Sequence, residues 1–114
     1  MDTTSQNLIS NEIFYSSNPR LFKVRYQLEY YFGDYNYPHD KYLRSWTDSE
    51  GWMPIMPLLN FPRMKDLQVL KDDVIEALRN SFIAEIDESY ENIRKRSRAL
   101  NEDLKILGFS KEGI

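Results

Sequence analysis

Between Leu21 and Asp34 the chain carries two side-chain rows at helical spacing, and the two need different surroundings. Leu21, Val24, Leu28 and Phe32 follow i, i+3, i+7, i+11, an apolar stripe that a core must cover. Gln27, Tyr30, Tyr31 and Asp34 follow i, i+3, i+4, i+7 and lie on the same helix, rotated from the first row. One row anchors the helix. The other is left to present an amide, two phenols and a carboxylate.

That second row opens a wider segment, residues 27–43, with five tyrosines, a phenylalanine and three acidic side chains in seventeen positions. A core favours Leu, Ile and Val, and a solvated face favours Lys, Glu and Ser; neither calls for this mixture. Rings beside carboxylates and an amide suit a ligand with a π-face and hydroxyl donors. Single-stranded RNA is such a ligand, held by stacking while polar groups read base edges and sugar hydroxyls.

Further along, Gly33 lets the chain leave the helix, and Asn36-Tyr37-Pro38 reads as a break, because the residue before proline avoids the α region. Pro38 then opens a short helix through residue 46, with Asp40 in its first turn and Leu43 and Trp46 turned to the core. Thr47–Gly51 is a predicted turn, Trp52–Ile55 a short strand, 57–62 a short helix and 63–67 a further helical turn. Asp72 or Asp73 starts a helix to Asn80 with Val74, Ile75, Ala77 and Leu78 inward. The runs 82–86 and 91–94 are rich in β-formers and flank a polar turn, a hairpin pattern. Residues 1–18 are polar on balance, with Ser, Thr and Asn prominent, and are expected to be flexible except for Ile13-Phe14-Tyr15, which is expected to dock. Leu100, Leu104 and Leu107 sit near helical spacing before Gly108, which suits a C-terminal helix or a linker.

The bulk properties exclude several classes. At 114 residues the chain has room for one domain. With no cysteine and one histidine, disulfides, thiolate metal sites and a conventional zinc site are not expected, and no cofactor is called for. No nucleophile–base pair or glycine-rich phosphate loop points to an enzyme. No apolar run approaches the roughly 20 residues that span a bilayer, so no membrane partner is expected. The net charge of −3 argues against a broad grip on duplex nucleic acid, but allows an end-binding pocket. KDDVIEALRN at 71–80 holds three acidic and two basic residues, which disfavours insertion into a DNA groove. Arg94-Lys95-Arg96-Ser97-Arg98 is either a solvated strand end or a phosphate-contact or nuclear-import patch.

Three separated motifs carry a family resemblance. Gln27-Leu28-Glu29-Tyr30-Tyr31-Phe32-Gly33-Asp34 followed by Asn36, Pro38, Asp40-Lys41 and Leu43 is the first. Glu50-Gly51-Trp52-Met53-Pro54-Ile55 with Asn60-Phe61-Pro62-Arg63-Met64 is the second, and Glu76-Ala77-Leu78 the third. Their order and spacing over residues 20–96 resemble the La motif of La and La-related proteins, and in particular the authentic La branch. The resemblance implies an α+β, winged-helix-like domain with additional helices and a small antiparallel sheet. It divides the chain into a flexible segment 1–18, an RNA-binding domain 19–97 and a tail 98–114.

The resemblance also implies a function: capture of uridine-rich RNA 3′ ends terminating in UUU with a free hydroxyl, as on RNA polymerase III transcripts, in the nucleus. On that footing Asp40 accepts the terminal ribose hydroxyls and Gln27 reads a uracil edge. Tyr30, Tyr31, Tyr42 and Phe61 line the pocket, with Asp34 and Asn36 near the turn. The chemistry is consistent, since a carboxylate only accepts and can take both hydrogens of a vicinal diol. Tyr42 stands where the family usually has Phe, and Asn60, Pro62, Tyr37 and His39 also depart from the common pattern, reducing positive charge. A monomer is expected. An RNA-recognition motif usually follows in the family; the chain stops at Ile114, so an N-terminal part of a longer protein is expected. The alternatives are a La-related preference for poly(A), or peptide binding.

Overall fold

The computed structural model describes residues 18–96. Residues 1–17 and 97–114 lie outside the described residues, and with them the expected docking of residues 13–15, the expected helix 97–107 and the expected tail 98–114. The long helix α1 spans Pro19–Phe32, with proline in its first turn, where a missing N–H costs nothing. Leu21, Val24, Leu28 and Phe32 are all buried, as their spacing predicts. A 3-10 turn at Tyr37–His39 leads to α2, Lys41–Ser45. There follow β1 (Met53–Pro54), α3 (Ile55–Leu58), α4 (Pro62–Asp66) and α5 (Lys71–Ala77), and finally β2 (Ala84–Ile86) and β3 (Asn92–Lys95). The result is the expected α+β architecture, with five α-helices and a small antiparallel sheet among the described residues.

The sheet runs in the order β1-β3-β2. In register, Met53 faces Ile93 and Pro54 faces Asn92, while Ala84, Glu85 and Ile86 face Lys95, Arg94 and Ile93. Pro54 lacks a ladder donor and accordingly sits on an edge strand. The β2–β3 hairpin is the wing of the winged-helix pattern. Its turn closes on Asp87, whose carboxylate accepts from the backbone N–H groups of Glu91 and Asn92 and from the Asn92 amide.

Several local expectations need correction. Trp46 is not core: it caps the C-terminus of α2 and is 39% exposed. The strand at 52–55 shortens to two residues because Ile55 already starts α3. The helix at 57–62 divides, since Pro62 forces an extended Phe61 (φ −64°, ψ 144°) and restarts the chain as α4. Helix α5 ends at Ala77 rather than Asn80, which instead takes a positive φ of 60°, a region asparagine tolerates. Ile75 is half-buried, and Phe82, expected in the hairpin, is exposed outside β2.

Gly33 also works differently from its usual role. Its φ of −79° and ψ of 168° are available to any residue. What requires glycine is space, because a Cβ there would lie 2.6 Å from the Glu29 carbonyl oxygen. Gly51 is the conformational glycine, with φ +89° in the predicted Asp48–Gly51 turn.

Candidate nucleic-acid interface

Three elements meet around Asp40. Helix α1 supplies Gln27 and Tyr31, α2 supplies Tyr42 and is N-capped by Asp40, and α4 is preceded by Phe61. Asp40 Oδ1 accepts from the Leu43 backbone N–H at 2.9 Å, the usual satisfaction of a helix's first donors. Its Oδ2 accepts from Asn36 Nδ2 at 3.0 Å, and the same amide donates to the Tyr31 carbonyl at 3.0 Å. Asn36 therefore fixes the Asp40 carboxylate against the end of α1. With two of about four acceptor positions used, the carboxylate can still take two hydroxyl hydrogens.

The rings form a connected row. Tyr31 meets Phe61 edge-on at 5.5 Å, Phe61 meets Tyr42 at 5.5 Å with a 41° tilt, and Tyr42 meets Trp46 edge-on at 6.4 Å. Their exposure differs sharply. Tyr31 and Phe61 are 9% and 7% exposed and belong to the core, whereas Tyr42 is 64% exposed. Tyr31 thus does not share the free row expected for it; its phenol is the core's polar edge. Burial raises the Tyr31 phenol above its ordinary value, partly offset by a hydrogen bond with Gln27 and by the Arg63 charge, while Asp40 raises it further. Asp40, Gln27 and Arg63 all act on this one hydroxyl, so the cluster is electrostatically connected.

Two expected members lie apart. Asp34 is turned to Lys95 (2.6 Å), which also donates to the Phe32 carbonyl, and this cation holds the Asp34 carboxyl below its usual range. It ties the end of α1 to β3 rather than joining the ring row. Tyr30 is half exposed on α1 and has no ring neighbour among the described residues. The structure therefore brings together Gln27, Tyr31, Asn36, Asp40, Tyr42 and Phe61.

Arg63 and Trp46 were missed by sequence reasoning as members of the cluster. Arg63 was visible only as part of the Asn60–Met64 motif, and nothing local told that the first turn of α4 faces Tyr31. Gln27 and Arg63 also line an apolar groove of about 440 Å³ with Phe22, Tyr26 and Leu67. Among the described residues there is no group of three or more side chains suited to a metal ion, and no helix long and apolar enough to cross a membrane.

Comparison with known proteins identifies the family. The La domain family model matches residues 24–80. The chain is 40% identical over 72 residues to the La protein homolog of Aedes albopictus, covering 60% of this chain and 19% of that protein. It is 36% identical over 90 residues to Lupus La protein homolog B of Xenopus laevis (73% and 21%). It is also 33% identical over 87 residues to La-related protein 1C of Arabidopsis thaliana (76% and 16%). The chain thus spans about a fifth or less of the length of these curated relatives. Among solved structures, the La autoantigen N-terminal domain superposes with a TM-score of 0.64 at 28% identity, covering 69% of this chain and 88% of that one. The chain belongs to the La domain family, a non-catalytic RNA-binding module shared by La and La-related proteins.

Proposed function

We propose that the chain captures the uridine-rich 3′ end of single-stranded RNA through its terminal diol. The observation that carries this reading is the Asp40 carboxylate, held by Asn36 and the Leu43 N–H at the foot of the Tyr42 ring, with acceptor capacity left over. In this arrangement the terminal ribose donates both hydroxyls to Asp40. The last bases stack against Tyr42 and the outer edge of Phe61, and Gln27 reads a uracil edge. A 3′-phosphate would bring like charge to the carboxylate and remove a donor. Arg63 supplies a cation for a backbone phosphate.

On this reading the natural ligands are nascent RNA polymerase III transcripts in the nucleus, whose ends are shielded from exonucleases and whose maturation, that of tRNA included, is chaperoned. The domain acts as a monomer, and a following RNA-recognition motif completes the cleft in a longer protein. A second reading, a La-related preference for oligo(A), is favoured by the match to La-related protein 1C and by the tolerance of stacking for any base. Gel shifts with oligo(U), oligo(A) and 3′-phosphorylated oligo(U) separate the two. Preferred binding of unmodified oligo(U) supports the first reading; oligo(A) or the phosphorylated oligo(U) binding as tightly as unmodified oligo(U) defeats it.

A further inference from the structure

The ring row does not end at Tyr42. Trp46 sits one helical turn further along α2, 39% exposed, and the edge of the Tyr42 ring is its sole ring contact among the described residues. It contributes nothing to the buried core, although its size would make it a strong core residue. An isolated exposed aromatic is unremarkable. This one, however, is continuous with the proposed binding row and caps the C-terminus of the five-residue helix that Asp40 caps at its start and that carries Tyr42.

The geometry decides what such a ring can hold. Tyr42 and Trp46 lie at 87° to one another, so one flat base cannot stack on both. Phe61 and Tyr42, 5.5 Å apart and tilted by 41°, adjoin closely enough to contact a common base from one side. Any base on Trp46 is therefore an additional one. From Asp40 to Trp46 is six residues, about 9 Å of helix at roughly 1.5 Å per residue. That corresponds to two or three nucleotide steps at a stacked spacing of about 3.4 Å.

Resting on the RNA-end reading above, we propose that Trp46 is a separate stacking platform for the nucleobase third or fourth from the 3′ end. The site is then longer than its diol-binding end, and its affinity depends on strand length. Diuridylate and hexauridylate with free 3′ hydroxyls, titrated into the 114-residue chain, provide the test. Trp46→Ala should weaken hexauridylate about tenfold, the scale of one lost base stack, and diuridylate less than twofold. Trp46→Phe should restore most of the loss. Equal weakening of both lengths, or of neither, overturns the platform.

Fluorescence keeps the test open should Trp46→Ala fold poorly. The chain has two tryptophans, and Trp52 lies under the Arg94 guanidinium, 4.2 Å from ring centroid to cation. Trp52→Phe keeps that stacked ring and leaves Trp46 as the single indole. Its emission should change with hexauridylate and stay constant with diuridylate; no change with either overturns the proposal. The RNA-end reading fails separately, if hexauridylate carrying a 3′-phosphate binds the unaltered chain as well as the free diol.

Discussion

Asp40 has one observed role, the α2 cap, and one proposed role, and separating them needs the right substitution. Alanine would remove both the α2 cap, at a cost of about 1 kcal/mol, and the proposed diol acceptor. Asparagine keeps one oxygen for the Leu43 N–H, while the second acceptor becomes a donor that faces the Asn36 amide, so the fold should survive with one hydrogen bond fewer. Asp40→Asn is expected to lower oligo(U) affinity tenfold or more in titration, with a stability loss of no more than about 1 kcal/mol from the bond to Asn36. Asp34→Asn should change affinity less than threefold, because its carboxylate is engaged by Lys95 outside the ring row. Comparable losses in the two variants would contradict the assignment. At this scale the sequence was informative about chemistry and weaker on direction. Tyr30 and Tyr31 are adjacent and identical, yet one is half exposed and the other is buried against Phe61. The partner that decides the matter is thirty residues away, and no local pattern contains it.

Each element boundary shows how far periodicity reaches. The α1 stripe was legible because four apolar residues at helical spacing admit one buried face. The end of α1 was placed well, though for a different cause: Gly33 is required by crowding against the Glu29 carbonyl. Gly33→Ala should therefore destabilise the domain by about 1–3 kcal/mol, the cost of forcing a methyl into filled space. Urea denaturation measures this; a change under about 0.5 kcal/mol would restore the purely conformational explanation. Short elements were less legible. Helices α2, α3 and α4 have five, four and five residues, too few for a periodic pattern; Asp40 caps the start of α2, and Pro54 and Pro62 mark the starts of α3 and α4. The hairpin was readable from its β-formers, but the pairing of Met53–Pro54 with β3 joins segments far apart in sequence.

Across the whole molecule, polar ties fasten α1 at successive turns. Arg20 donates to the Leu67 and Gln68 carbonyls and to Asp73, and Arg25 donates to the carbonyls of Ala77 at the end of α5 and Arg79 just past it. Ser81, 3% exposed, donates to Glu29 and accepts from the Ile83 and Ala84 N–H groups, joining α1 to the start of the wing. These long-range contacts are the part of the fold that a single sequence does not display. Ser81→Ala should cost about 1–3 kcal/mol, because it strands buried donors rather than merely deleting one bond. Equilibrium unfolding checks it, and an unaltered denaturation midpoint would refute it.

Asp73 gives the fold a pH signature. Its hydrogen bond from Arg20 is the main cause lowering its carboxyl from the ordinary 3.8, with the Leu70 N–H helping and burial opposing. The associated stability is complete above the unfolded value and is lost as pH falls through the lower folded value. Below about pH 4 the parent should lose melting temperature more steeply than Asp73→Asn; parallel curves would show that the Arg20 pair adds nothing.

In the proposed function, one carboxylate recognises the free diol of an RNA end. The most direct measurement is the ratio of dissociation constants for one oligo(U) with a 3′-hydroxyl or a 3′-phosphate, in the parent and in Asp40→Asn. Discrimination of at least tenfold, about 1.4 kcal/mol, is expected in the parent. It should fall towards unity in Asp40→Asn, where the like charge is gone. A parent that binds both ends equally, or a variant that discriminates as well as the parent, would contradict the account.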